Sequence, residues 1–428
     1  MIQINEWKKW MLIVGILWIL TCVGCPLIIT NIFLVISTSI CMYVLWKNNS
    51  SCKIEVFIIC IGFALRLMVC LIDIYGNNLL TIPFSGDDSI HFFNTSVEYY
   101  YGDFSRIYTK YPYVLNAIYQ VVGLNRFAAQ YVNVLCWCFC MVLFQKSCKI
   151  LELEKGFCLA VVVLYAFSPF NICISSILMR DMMVSLSITI TSYCILKWMK
   201  SEQYIFLVFG AMATIPVILL HNCVLAMLGV LAIVAVFYSP QKGGFSIEKK
   251  GIIVACAMMI PLIIVFIVPP VRTVFLTQVP IANLDILSGI NGRIGLLYQY
   301  SGSSTYLLNK YATNYWELFV GTFERIFYFL VSPIPGMWRG MSDVIAFCVS
   351  SSVYILAAIA IVISFFFKKR DAFRSVLILI IFFVSAIFAW GVSSAGTAMR
   401  HREKIVGVTI LLIIYCIQQI KNARKDVS

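Results

Sequence analysis

The chain has 428 residues, of which 61% are hydrophobic and 12% charged, with a formal net charge of +13. Soluble domains carry about 25% charged residues, so this composition excludes a soluble globular protein. The basic excess does not indicate nucleic acid either, because most lysines and arginines sit in short loops flanking apolar runs, as membrane topology requires.

Those runs recur along the whole length, each near the roughly 18–25 residues that cross a hydrocarbon core of about 30 Å. Backbone groups there have no water to bond, so the segments are helices. Their unbroken apolar character excludes barrel strands, which alternate. In chain order the expected helices are 10–25, 26–46, 54–75, 128–145, 156–175, 181–197, 204–220, 222–238, 251–268, 343–366, 375–392 and 404–420. The first two divide at Cys25-Pro26, where proline breaks the ladder. The start, MIQINEWKKW, is basic but is followed by no small-residue cleavage site, so the first helix is retained. The expectation is an all-α polytopic membrane protein, one membrane domain over 1–428 with about 12 transmembrane helices.

With the N-terminus inside, the short pieces 1–9, 47–53, 146–155, 198–203, 239–250, 367–374 and 421–428 face the cytoplasm and carry mainly lysine. Two sizeable extracytoplasmic loops, about 76–127 and 268–342, then lie outside. The outer face holds Arg106, Arg126, Arg180, Arg272, Arg293, Arg325, Arg339, Arg400 and Arg402, with few lysines. Topology explains lysine inside, whereas arginine outside runs against it. Guanidinium forks bind phosphate and carboxylate bidentately, so an anionic ligand at the outer face is one account. Pairing with Asp103, Asp285, Glu317 and Glu324 to hold the loops is the other.

Just beyond the third helix stands FSGDDSIHFFN, residues 84–94. Asp87 and Asp88 lie four and three residues before His91, so one helical face carries carboxylate beside imidazole. A carboxylate at a membrane surface serves as a general base on a hydroxyl. The set Asp87, Asp88 and His91 also suits a divalent cation that neutralises a diphosphate leaving group. Helix capping by Asp88 or Ser89 is the plain alternative. The following tract is rich in tyrosine (Tyr99, Tyr100, Tyr101, Tyr108, Tyr111, Tyr113), which suits interfacial anchoring, although stacked aromatics also line sugar sites.

Arg66 sits mid-helix with Asp73 two turns on, and requires a polar cavity or a partner helix. In SPFNICISSILMRD, Pro169 disrupts a helix end and Arg180-Asp181 opens the next helix, where an acid suits the dipole. His221-Asn222 marks a hairpin, as a ligand group or a turn residue. FERIFYFLVSPIPGMWRG, 323–340, is too short to cross and reads as an interfacial helix carrying Arg325 and Arg339. AGTAMRHREK places Arg400, His401 and Arg402 at the mouth of the last helix, as a phosphate clamp or a structural cluster. The 17 cysteines fall in apolar segments or short inner loops, which does not describe a disulfide or metal framework.

Together, GDDSIHFF, SPFNICISSILMRD, RIFYFLVSPIPGMW and AGTAMRHREK resemble motifs of bacterial polytopic glycosyltransferases of the GT-C type and of the related Wzy-like surface-polysaccharide polymerases. That resemblance implies a GT-C-like fold in the bacterial cytoplasmic membrane, working on a polyprenyl-(di)phosphate-linked sugar at the outer face. In that family the acidic loop follows the first helix, whereas here it follows the third. The large late loop is closer to polymerases and O-antigen ligases. The expected function is inverting glycosyl transfer in cell-surface polysaccharide or glycolipid assembly. Asp87 or Asp88 is the base, and Arg66, Arg180, Arg400 and Arg402 hold phosphate. His91, Asp181, His221, Arg325, Arg339 and His401 complete the substrate site. Partners are the lipid-linked donor, a saccharide or lipid-linked acceptor and membrane lipids. A repeat-unit polymerase is one alternative, and a transporter or flippase of a lipid-linked or anionic solute is another.

Overall fold

A computed structural model gives the fold of all residues except Met1, 24–27, 49–52, 77–79, 106–108, 268–285, 300–303, 368–370 and 426–428; side chains are described for the same residues less 2–12, 46, 48, 261–267, 286 and 299. The Cys25-Pro26 division, Arg106, Tyr108, Arg272 and Asp285 lie outside the described residues. The chain gathers into two compact units, Met1–Gln145 with Leu159–Leu186 and Lys146–Cys158 with Ser187–Ser428.

The first unit contains α1 (Ile2–Val23), α2 (Ile28–Asn48), α3 (Lys53–Tyr75), α4 (Asp87–Tyr100), α5 (Tyr111–Val122), most of α6 (Arg126–Ile150) and α7 (Lys155–Ala166), α8 (Pro169–Ser176) and the start of α9 (Asp181–Ser201). The expected loop 76–127 is therefore mainly a helical hairpin, α4–α5. Pro169 does break the fifth expected helix: α7 and α8 meet at a 56° bend. A bend of this size releases backbone acceptors from the helical ladder. The Arg66 guanidinium takes up one of them, the carbonyl of Ala166 (2.9 Å), and donates as well to the carbonyl of Gly62 in its own helix (3.0 Å), to Ser175 Oγ (2.8 Å) and to Asn171 Oδ1 (3.1 Å). It lies 3.7 Å from the Trp137 ring centroid. Gly62 permits this layer, since a Cβ there would stand 2.9 Å from the Trp137 ring. Between α8 and α9 the chain breaks again, and the Asn133 amide donates to the carbonyls of Ile177 and Met179, both at 2.8 Å.

The second unit continues with α10 (Ile205–Ile218), a turn at Asn222–Val224, α11 (Leu225–Phe237), a two-residue antiparallel pairing of Tyr238–Ser239 with Gly244–Phe245, and α12 (Lys249–Ile267). Next come α13 (Ile286–Gln299), α14 (Tyr315–Val331), α15 (Met341–Phe367), α16 (Ala372–Trp390), α17 (Ala395–Arg402) and α18 (Val406–Lys425). A π-helical stretch at Phe347–Ser351 interrupts α15.

Each of the twelve expected helices has a counterpart. By length and composition, seven helices among the described residues suffice to cross a membrane, or eight if α7 and α8 make one bent span. The chain is a multi-pass membrane protein. Among the described residues the apolar helices α10 and α11 are shorter than those spans, and seven or eight spans are counted there against the twelve expected. The described part of 268–342 is likewise largely helical, as α13 and α14.

Candidate functional site

The first turn of α4 carries Asp87 and Asp88, yet neither caps it. The cap position falls to Gly86, with no side-chain hydrogen bond to the helix. Asp87 is exposed, Asp88 and His91 are half-buried, and with Ile90 and Asn94 they line an open depression of about 340 Å³. Two carboxylates in a first turn are favoured by the helix dipole. Asp87, Asp88 and His91 do not assemble as a metal-ligand set, and among the described residues no three His, Cys, Asp or Glu side chains do.

What holds this turn in place was only half legible. Asp73 is fully buried and paired with Arg126, whose Nη2 lies 3.1 Å from its Oδ2. The same nitrogen lies 3.1 Å from Ser89 Oγ in α4, and Gln130 donates to Asp73 at 2.5 Å. One guanidinium thus joins the end of α3, the start of α6 and the first turn of α4. Arg180 reaches α4 one helical turn past Asp88, its guanidinium 5.8 Å from the Phe92 ring centroid. Asp181, fully buried, opens α9 beside it. Burial pushes the Tyr111 hydroxyl well above its ordinary value, and Asp181 adds to the shift, so this ring of α5 stays protonated as a donor.

In the second unit the arginines divide by environment. Arg402 is fully buried and closes the end of α14, donating to the carbonyls of Phe329 (3.3 Å), Leu330 (2.9 Å) and Ser332 (2.7 Å). It also donates to Ser350 Oγ (2.8 Å) and Ser351 Oγ (3.0 Å), which the π-helical stretch presents. Burial draws its guanidinium below the ordinary value, with Tyr354 and Glu403 opposing that shift. Arg325, 1% exposed, donates to the carbonyls of Leu307 (3.1 Å) and Lys310 (2.8 Å) and stacks 4.4 Å from Trp390. Arg339 is exposed, and its backbone N–H donates to the Asp343 carboxylate. Arg400 and His401 remain half-buried.

His221 is indeed a turn residue, capping Asn222–Val224 with Nδ1, but its ring also meets that of His401 edge to face at 5.2 Å. Phe388 stacks on His401 at 4.9 Å, and Lys404 hydrogen-bonds His401 Nδ1. Lys404 and Glu403, both 2% exposed, were absent from the sequence-based set. Their signal was the continuation of the same RHREK run.

No protein-family model and no curated protein sequence matches the chain. Among solved structures it is similar to the apo oligosaccharyltransferase of Archaeoglobus fulgidus, with a TM-score of 0.50 and 11% identity over 85% of this chain and 50% of that one. A second structure of that enzyme, with Zn and sulfate, gives 0.46 and 10% over 86% and 51%. The likeness is one of fold. This chain spans about half the length of those structures and shares with the apo form a helical membrane fold.

Proposed function

We propose that the protein is a membrane glycosyltransferase that moves sugar from a polyprenyl-(di)phosphate donor to an acceptor hydroxyl at the outer face of the membrane. One observation carries this reading: the two carboxylates of the first turn of α4 line an open depression, and the Arg126–Asp73 pair holds that turn through Ser89. Asp87 or Asp88 takes the acceptor proton while the hydroxyl oxygen attacks the anomeric carbon. The bond from that carbon to the phosphate oxygen breaks, the phosphate leaves with the electron pair, and direct displacement inverts the configuration. Arg180, placed over the same face of α4, balances the charge that grows on the leaving oxygen. Arg66, Arg325 and Arg402 give their donors to protein acceptors and serve as scaffold rather than as phosphate ligands. In the second unit, His221, His401 and Lys404 make up a separate cationic and imidazole cluster suited to an anion.

Product analysis of the purified chain in nanodiscs, with a polyprenyl-diphosphate-linked sugar and a saccharide acceptor, tests the reading. A covalent glycoside of inverted configuration is expected; translocation of the donor lipid with no covalent product would overturn it in favour of transport. Arg180→Ala is expected to lower kcat by about 10²–10³-fold, the usual loss when a transition-state donor is removed. Arg180→Lys should recover part of that loss, because it keeps the charge and loses the fork.

The orientation is checked separately. In intact cells a membrane-impermeant thiol reagent should label Ser85→Cys, next to the acidic turn, above the wild-type background. Labelling that requires access from the cytoplasm places the turn on the other side and removes the proposed site from the outer face.

A further inference from the structure

The acidic turn is one end of a longer surface. Along α4, Asp87, Asn94 and Tyr101 are exposed and His91 and Glu98 half-buried, whereas Phe92, Thr95, Ser96 and Tyr99 are buried. Steps of three and four residues keep the first group on one side of the helix. At its far end three rings meet. Tyr99 lies 4.6 Å from Tyr113 and 5.0 Å from Phe104, and the planes of Phe104 and Tyr113 are only 10° apart. Tyr99 is the floor at 1% exposure, while Phe104 and Tyr113 are 49% and 37% exposed.

The neighbours of these rings distinguish them from the exposed aromatics of α14. There Trp316, Phe319, Val320, Phe323 and Phe327 are all at least 49% exposed and form an apolar stripe without a charged member, as a lipid-facing helix does. The α4–α5 rings are instead set among polar groups. Lys110 Nζ lies 5.5 Å from the Tyr113 centroid, and Asp103 accepts from the Ser105 N–H at 2.9 Å. A pyranose presents an apolar C–H face to the negative face of an aromatic ring and a rim of hydroxyls to charged and polar side chains. This cluster offers both, and the α14 stripe offers only the first.

From Asp88 to Tyr99 the helix rises about 16 Å, the length of several sugar rings. We propose that the Phe104–Tyr113 platform is a subsite for a distal sugar of the acceptor. The acceptor is then an oligosaccharide chain laid along α4, with its reacting hydroxyl at the Asp87–Asp88 turn. The proposal rests on the glycosyl-transfer reading and narrows it to extension or decoration of a glycan, as opposed to transfer onto a single sugar.

The test uses the full chain in nanodiscs and a ladder of fluorescently tagged mono- to hexasaccharides, made by partial hydrolysis of the surface glycan of cells that carry the protein. Binding is followed by fluorescence polarisation and transfer by product analysis. Wild-type affinity should rise with chain length, and Phe104→Ala or Tyr113→Ala should weaken the longest fragments about tenfold. Phe104→Trp should restore them, which a mere folding defect at this half-exposed position would not predict. Binding that ignores length, or that Phe104→Ala leaves unchanged, overturns the subsite even if product forms. Length-dependent, platform-dependent binding with no product retains the subsite and overturns the transfer reaction.

Discussion

The Asp87→Asn, Asp88→Asn double variant loses glycosyl transfer by about 10²–10⁴-fold, the range expected when a positioned general base is removed. Asparagine keeps the size and much of the hydrogen bonding of aspartate and loses only the charge and the basic oxygen. Because Gly86 holds the cap position, no cap bond is lost. The dipole interaction of each acid adds at most about 1 kcal/mol to the cost in folding. Single-turnover product formation measured beside the thermal unfolding midpoint separates the two effects. The single variants then assign the base: the residue that takes the proton accounts for nearly all of the loss, and the other for a small electrostatic part. Full turnover in the double variant would remove α4 from the chemistry.

Arg402→Ala is expected to act in the opposite sense, on folding before chemistry. It removes the side-chain donor from the carbonyls of Phe329 and Leu330 and takes one of two donors from that of Ser332, and it takes a donor from Ser350 and Ser351 inside a buried layer. Buried acceptors without donors and broken buried charge networks cost about 3–5 kcal/mol together. The variant should therefore show a markedly lower unfolding midpoint and yield. Arg402→Lys should rescue little, since one ammonium cannot reach acceptors spread around a planar fork. Arg339→Ala, at an exposed position, is the control and should unfold like wild type. A folded, normally stable Arg402→Ala protein that has lost transfer would return Arg402 to a phosphate-binding role.

These two residues mark how far the sequence could be read. Asp87 and Asp88 were recognisable because a pair of acids just past an apolar run is a local feature, and the structure places them in an open first turn. Arg66 and Arg402 were recognisable as anomalies, one charged within an apolar run and the other outside against the positive-inside rule. Their partners were not. The carbonyl of Ala166 becomes free only because α7 and α8 meet at a 56° bend, and those of Phe329, Leu330 and Ser332 only where α14 stops against α15 and α17. The partner of Asp73 was equally out of reach of the sequence: Arg126 stands at the head of another helix and meets it only in space. His221 and His401, assigned separately to a turn and to a clamp, meet ring to ring in the second unit.

Hydrophobic run length, proline position and the sidedness of lysine are properties of short windows, and solvation in lipid acts on each window by itself. The sequence alone therefore determined that this is a helical, multi-pass membrane protein, and where its long apolar helices lie along the chain, but not the helices α4, α5, α13 and α17 within the expected loops. Which arginines are spent on protein carbonyls, and which polar groups line a surface depression, depend on contacts between distant segments. A buried donor is satisfied by whatever acceptor the packing brings to it. Only the tertiary structure decided that Arg66 and Arg402 donate to carbonyls at helix ends and breaks, and that Asp87 and Asp88 line an open depression at the start of α4.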